Sequence, residues 1–322
     1  MTFEFDAYVT EALFDRQGAV FALGDGAVVF EDGERHEAHA GAILCAAAHP
    51  SGDGIVSGGD DGRVVWTRKG GCEVLAEIKG RWIDAIAASP ESGLIAFAAG
   101  RDVHVRDVKD PAFSRTFSHE KSVAGLAFDP KGRRIAAPTY GGCALWYARI
   151  ADQKPVFLRW AGSHVTAAFS PDGKFLLSSM QENALHGWRL SDAKDMRMGG
   201  YPSKVKSLTF VENGAWLATS GANGVVLWPF QGANGPMGKQ ATEIGFDEST
   251  LVARLAADPS GSVLLAGLED GRVWACDLKS QKLETLKAEK GPPITALALF
   301  GRTRAAWGDE DGGAGVTDLP AL

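Results

Sequence analysis

The side chains best suited to chemistry are few and scattered. His36 and His39 stand three apart in RHEAH, and on a strand that spacing puts the two rings on opposite faces, where they cannot share a metal ion. Cys45, Cys72, Cys143 and Cys276 are far apart with no CxxC pair, so they read as reduced core or half-buried thiols. The acidic turns GGDDGR, LEDGR and GDEDGG could attract a cation or a basic partner. Asp-Gly pairs are what tight hairpin turns require, however, and none of the three has the oxygen-ligand spacing of a calcium loop. His164, in GSHVTAAF, falls at the start of a predicted strand, where it could bind a small ligand or serve as a hydrogen-bonded wall residue. There is no nucleophile elbow, no HExxH, no phosphate loop and no GxGxxG opening a helix. The sequence therefore assigns no catalytic residue, no cofactor and no metal site.

The elements that would position these groups follow from composition. The chain has 322 residues, 45% hydrophobic, with 40 Gly and 14 Pro, which excludes both a disordered chain and a long helical bundle. Its net charge of -7 is spread along the sequence, so a dense basic face for nucleic acid is not expected. No apolar run reaches the roughly 18 residues of a membrane helix, and the opening MTFEFDAYVTEALFD lacks the pattern of a secretory signal. The expectation is a cytoplasmic protein with no membrane association, monomeric on its own.

One phrase recurs along the chain: a short apolar run, a turn such as SPDG, a second apolar run, a small polar turn, and a third run ending in an anchor residue. It is plainest in AAFSPDGKFLLSS leading to Trp188 and in LAFDPKGRRIAAPTYGGCALW ending at Trp146. The anchors are Phe30, Trp66, Arg106, Trp146, Trp188, Trp228, Cys276 and Thr317. They recur on average about every 41 residues, close to a common propeller repeat length. More polar runs lie between copies, such as CEVLAEI and KLETLKA, and read as a fourth strand whose edge meets water.

The SPDG-type turns, the endings DDGRVVW, GGCALW and GVVLW, and the Asp after the anchor in Asp107, Asp277 and Asp318 give the chain a resemblance to WD40-repeat β-propellers. The resemblance spans essentially all of residues 1–322 and implies an all-β fold: a single closed propeller of eight four-stranded blades, with seven as the alternative. Thr2 to Asp6, within residues 1–7, is expected to be the outer strand of the last blade, removing the exposed edges. The family's Gly-His signature is poorly kept, with only His39 and His119 at the expected offset; Tyr201 stands at that offset in a later copy. The buried structural tetrad of the family carries over in full only to the second copy, as His39, Ser57, Asp60 or Asp61, and Trp66.

In propellers of this kind, the loops entering the first strand and the turns between second and third strands share one face. By offset that face holds Tyr8, Trp82, Lys121, Lys204 and Lys206 from the first set, and Arg101 and Tyr140 among the second. Trp82 stands where other copies have Ala42, Ser122, Ser163 or Lys204, so packing of the repeat does not demand an aromatic there. Exposed Trp, Tyr and Arg are favoured interface anchors. The resemblance and this surface imply a noncatalytic scaffold binding an unidentified protein or peptide partner. The alternative is a small-ligand or enzymatic propeller of quinoprotein-like type, acting in the axial channel.

Overall fold

The structure is a computed structural model describing residues 1–322. Regular structure is almost wholly strand, the one helical element being a 3-10 turn at Glu212–Gly214. The strands assemble into seven antiparallel sheets, six of four strands and one of six. This corrects the expected eight separate four-stranded blades. The difference arises between Ala127 and Gly199, where the fourth and fifth sequence copies occupy one sheet. Two fourteen-residue strands, Arg134–Tyr147 and Val156–Phe169, run straight through positions that read as breaks in the sequence. Tyr140 pairs with Ser163 and Gly142 with Arg159, so the Gly-Gly step is a bulge inside a strand.

The chain divides into two compact units, Leu13–Phe169 and Met1–Ala12 with Ser170–Leu322. Within each, burial falls from the second strand of a repeat to the fourth. In the Leu13–Phe169 unit, Ile55–Gly59 and Leu94–Ala99 are buried at every position, whereas Gly71–Glu77 is largely open. Unbroken apolar runs suit strands covered on both faces, and the alternating or polar runs suit an outer position. Neighbouring sheets pack through these strands. Val56 and Val64 of one sheet meet Ile83, Ile95 and Phe97 of the next, and Leu94 and Val105 meet Ile135 and Trp146 of the one after. Phe97 is wholly buried, which stabilises the unit by about 2–3 kcal/mol.

The acidic turns are built as their sequence demands. In GGDDGR the Asp61 carboxylate accepts from the Arg63 amide at 3.0 Å, and Gly62 has φ +81 with the Ile78 carbonyl 2.5 Å from where a Cβ would lie. In the other unit, Leu264 and Ala266 of one sheet pack with Val211 and Ala218 of its neighbour. There Thr2–Glu4 forms the fourth strand beside Gly313–Asp318, pairing Thr2 with Gly315 and Glu4 with Gly313. The Met1 amine donates to the Val316 carbonyl at 2.8 Å, extending that ladder by one residue.

Candidate functional site

The residues expected on the loop face sit in both units, and each set is distinct. In the Leu13–Phe169 unit, Trp82 precedes the strand Ala85–Ser89 and is 66% exposed. It does not fold over its own loop. Its neighbour Ile83 is fully buried and donates its amide to the Gly59 carbonyl, which pins the loop and turns Trp82 outward. Arg101 lies in the turn joining Leu94–Ala99 to Asp102–Asp107, with an exposed side chain, while its backbone carbonyl accepts from the His119 ring at 3.0 Å. Lys121 is exposed just beyond His119, and Tyr140 is 66% exposed at the bulge of its long strand. The unit thus offers two large aromatics and two cations, Trp82, Arg101 and Lys121 outside the strands and Tyr140 at a bulge within one.

In the other unit Tyr8, Lys206, Arg254 and Glu269 line a cavity of 540 Å³. Lys206 pairs with Glu269 at 3.2 Å, and the Arg254 guanidinium donates to the Thr295 carbonyl at 2.6 Å. Glu11, half-buried on the strand Val9–Phe14, has its carboxyl pushed by burial from 4.5 up to about 7, with Arg254 pulling the other way. Lys204 is exposed and donates to Gln181 at 2.6 Å. Arg254 and Glu11 were invisible to the offset argument, because they lie on first strands rather than in loops.

His164 is fully buried, and its Nε2 lies 3.1 Å from the Trp160 carbonyl, so its ring is engaged within the wall. The tetrad of the second copy is altered. His39 Nδ1 donates to Asp61 at 3.0 Å, and Ser57 Oγ donates to Nε2 at 2.9 Å. Despite partial burial, the His39 ring and the Arg63 and Ala40 amides hold the Asp61 carboxyl below its usual value. Asp60, the alternative at this place, is exposed and outside the network. Trp66 is outside it too: its indole donates to the Asp53 carbonyl at 2.8 Å and stacks on His49.

Two later copies rebuild the network from other residues. Trp146 Nε1 donates to His119 Nε2 at 2.9 Å, leaving Nδ1 to donate to the Arg101 carbonyl. Trp228 Nε1 donates to the Tyr201 hydroxyl at 2.6 Å, and that hydroxyl bonds Thr219 at 2.7 Å. Tyr201 therefore does the work of a histidine, its phenol pushed by burial up to about 12. These are structural networks that fix strands and loops. No group of three or more His, Cys, Asp or Glu is arranged to hold a metal ion, and no helix is long and apolar enough to cross a membrane.

Among families, the model of the WD domain, G-beta repeat, matches residues 33–66, the stretch holding His39, Ser57, Asp61 and Trp66. Pre-mRNA-processing factor 19 homolog 2 of Arabidopsis thaliana is 24% identical over 79% of this chain and 48% of its own length. Periodic tryptophan protein 2 homolog of Dictyostelium discoideum is 24% identical over 72% of this chain and 28% of its own. The chain thus spans about half or less of these relatives. Among solved structures, the computationally designed Ika8 protein superposes with a TM-score of 0.79 at 19% identity, covering 98% of both chains. The β-propeller domain of Cps50 (Swd1) from Myceliophteria thermophila gives 0.67 at 16% identity, covering 86% of this chain and 97% of that one.

Proposed function

We propose, taking as premise that the chain is a divergent WD40-repeat β-propeller, that it acts as a noncatalytic scaffold that docks a protein or peptide partner on a loop face. The observation that carries this reading is the exposure of Trp82 and Tyr140, 66% each, in the unit where Arg101 and Lys121 are exposed as well. A large aromatic held in water contributes little to its own fold, and covering it by a partner removes a broad apolar area at low rotamer cost. The exposed Arg101 and Lys121 of the same unit can meet carboxylates, which would favour orientation and rate of encounter. A ligand-binding reading centred on His164 is less favoured, since that ring is already bonded to the Trp160 carbonyl. Cytoplasmic localisation and a monomeric free state belong to the same proposal.

The test is affinity capture from the cells that make the protein, comparing the wild type with a Trp82→Ala, Arg101→Glu double variant. Both side chains are exposed, so the variant should melt within about 0.5 kcal/mol of wild type. The expected result is that partners recovered by the wild type fall at least about tenfold with the variant, as loss of an interface anchor requires. Equal recovery of the same partners by both proteins would show that this face is not the docking surface.

A further inference from the structure

We propose that a cleft at the opposite end of the same strands in the Leu13–Phe169 unit binds an acidic peptide segment carrying an apolar residue. The cleft has a volume of 700 Å³ and lies between the sheet ending in Gly71–Glu77 and the sheet containing Leu94–Ala99. Leu94–Ala99 runs from Gly93, which lines the cleft, to the turn holding Arg101. Six residues of strand separate the two places by roughly 20 Å, so the cleft is a second surface and not an extension of the first.

The floor is apolar and preformed. Trp66 stacks on His49 with ring centroids 4.1 Å apart and the Arg68 guanidinium covers its other face at 4.0 Å, so the clamped indole presents its edge and Leu75, Ile95 and Val108 supply the rest of the apolar floor. The Asp53 carbonyl holds the indole N–H, so the ring is fixed before any ligand arrives. Val74, 52% exposed, and Pro90 add apolar surface to the walls. Burial pushes the His49 imidazole down to about 4, so this ring is neutral at physiological pH and belongs to the apolar floor.

The rim is cationic. Arg16, Arg106 and Lys109 line it, and none of the three side chains pairs with a carboxylate. Arg106 donates to the Val105 carbonyl and the Ser114 hydroxyl only, and Arg16 lies over the Gly52 turn with its side chain exposed. The two lining carboxylates oppose these charges little. Asp107 is neutralised by Arg149 at 2.6 Å, and Glu73 faces Arg68 at 4.0 Å. In a chain with net charge -7, three unpaired cations around an apolar floor are a local inversion of sign. Carboxylates flanking an apolar side chain complement both features at once.

The probe is a short fluorescein-labelled peptide of Asp and Glu around a central Leu-Phe pair, read by anisotropy against the full chain. A matched peptide with Asn and Gln replacing the acids serves as comparison. The acidic peptide should bind at least about tenfold more tightly than the neutral one, and an Arg16→Glu, Lys109→Glu variant should weaken it by at least about tenfold. The Trp82→Ala, Arg101→Glu variant should bind it as wild type does, which separates this cleft from the loop face. Equal binding of both peptides, or undiminished binding by the charge-reversed cleft variant with an unchanged melting curve, would overturn the proposal. So would tighter binding of a labelled single-stranded oligonucleotide than of the acidic peptide.

Discussion

Glu11 gives the sharpest physical test of the structure, because its burial makes a signed prediction about stability and pH. The carboxyl rises from 4.5 to about 7 through desolvation, and the attraction of Arg254 does not cancel the rise. Between those two values the folded chain holds a proton that the unfolded chain has released. Stability from this group is therefore complete below about pH 4.5 and is lost as pH rises through 7. At 1.36 kcal/mol per pH unit, the loss approaches about 3 kcal/mol at alkaline pH, lessened by the water that a half-buried side chain retains. Glu11→Gln removes the titration while keeping the shape. The variant should match or trail wild type near pH 4.5 and gain steadily on it towards pH 8, by about 2–3 kcal/mol. For a chain of this length that is roughly 3–5 °C of melting temperature. The assay is thermal unfolding of both proteins at a series of pH values. A difference that stays flat, or that shrinks as pH rises, would mean that Arg254 holds Glu11 ionised and that the carboxyl is not desolvated.

Two other substitutions read the architecture. Tyr201→Phe leaves the Trp228 indole N–H without its acceptor, while the Thr219 hydroxyl keeps its bond to the Val226 carbonyl at 3.2 Å. Chemical denaturation should show a loss of about 1–3 kcal/mol, the cost of leaving one part-buried donor unsatisfied; a loss below the error of the measurement would make the network dispensable. Deleting residues 1–7 removes the strand Thr2–Glu4 and bares the edge of Gly313–Asp318. The melting temperature should fall by many degrees, and an unchanged melting curve would show that this strand does not hold the last sheet together.

Much of the architecture was legible because turn chemistry and apolar runs repeat with the same spacing. The turn Asp61-Gly62 closes through the geometry that its residues imply, and the polar fourth runs are the open outer strands. The count of separate blades was not legible. Gly141, Gly142 and Gly162 mark strand ends in the sequence, yet all three lie within continuous strands, with φ of +91, +147 and +127 that only glycine adopts readily. Pairing across the bulge, which no local pattern announces, merges two repeats into one sheet.

The site divided along the same line. Offsets from the anchors place both Trp82 and Tyr140 in turns or loops, but Tyr140 lies at a bulge within a continuous strand, and exposure depends on what the neighbouring chain covers. Trp66 shows the limit of a motif: it stands at the tetrad position, yet His49 offers its ring at 4.1 Å and the indole turns there. Tyr201 shows the converse, a departure from the motif that preserves the chemistry. Its hydroxyl takes the bond from Trp228, as the His119 ring takes the one from Trp146. The cleft lined by Arg16, Trp66 and Lys109 joins residues from three sequence copies, and only folding brings them together.

The docking claim is tested most directly by oxidative footprinting of Trp82 and Tyr140, in the isolated chain and in the complex recovered from cells. Both side chains should react readily in the free chain and lose most of that reactivity in the complex, while the exposed Tyr147 keeps its own. Trp82 and Tyr140 remaining as reactive with the partner bound as without it would contradict the account.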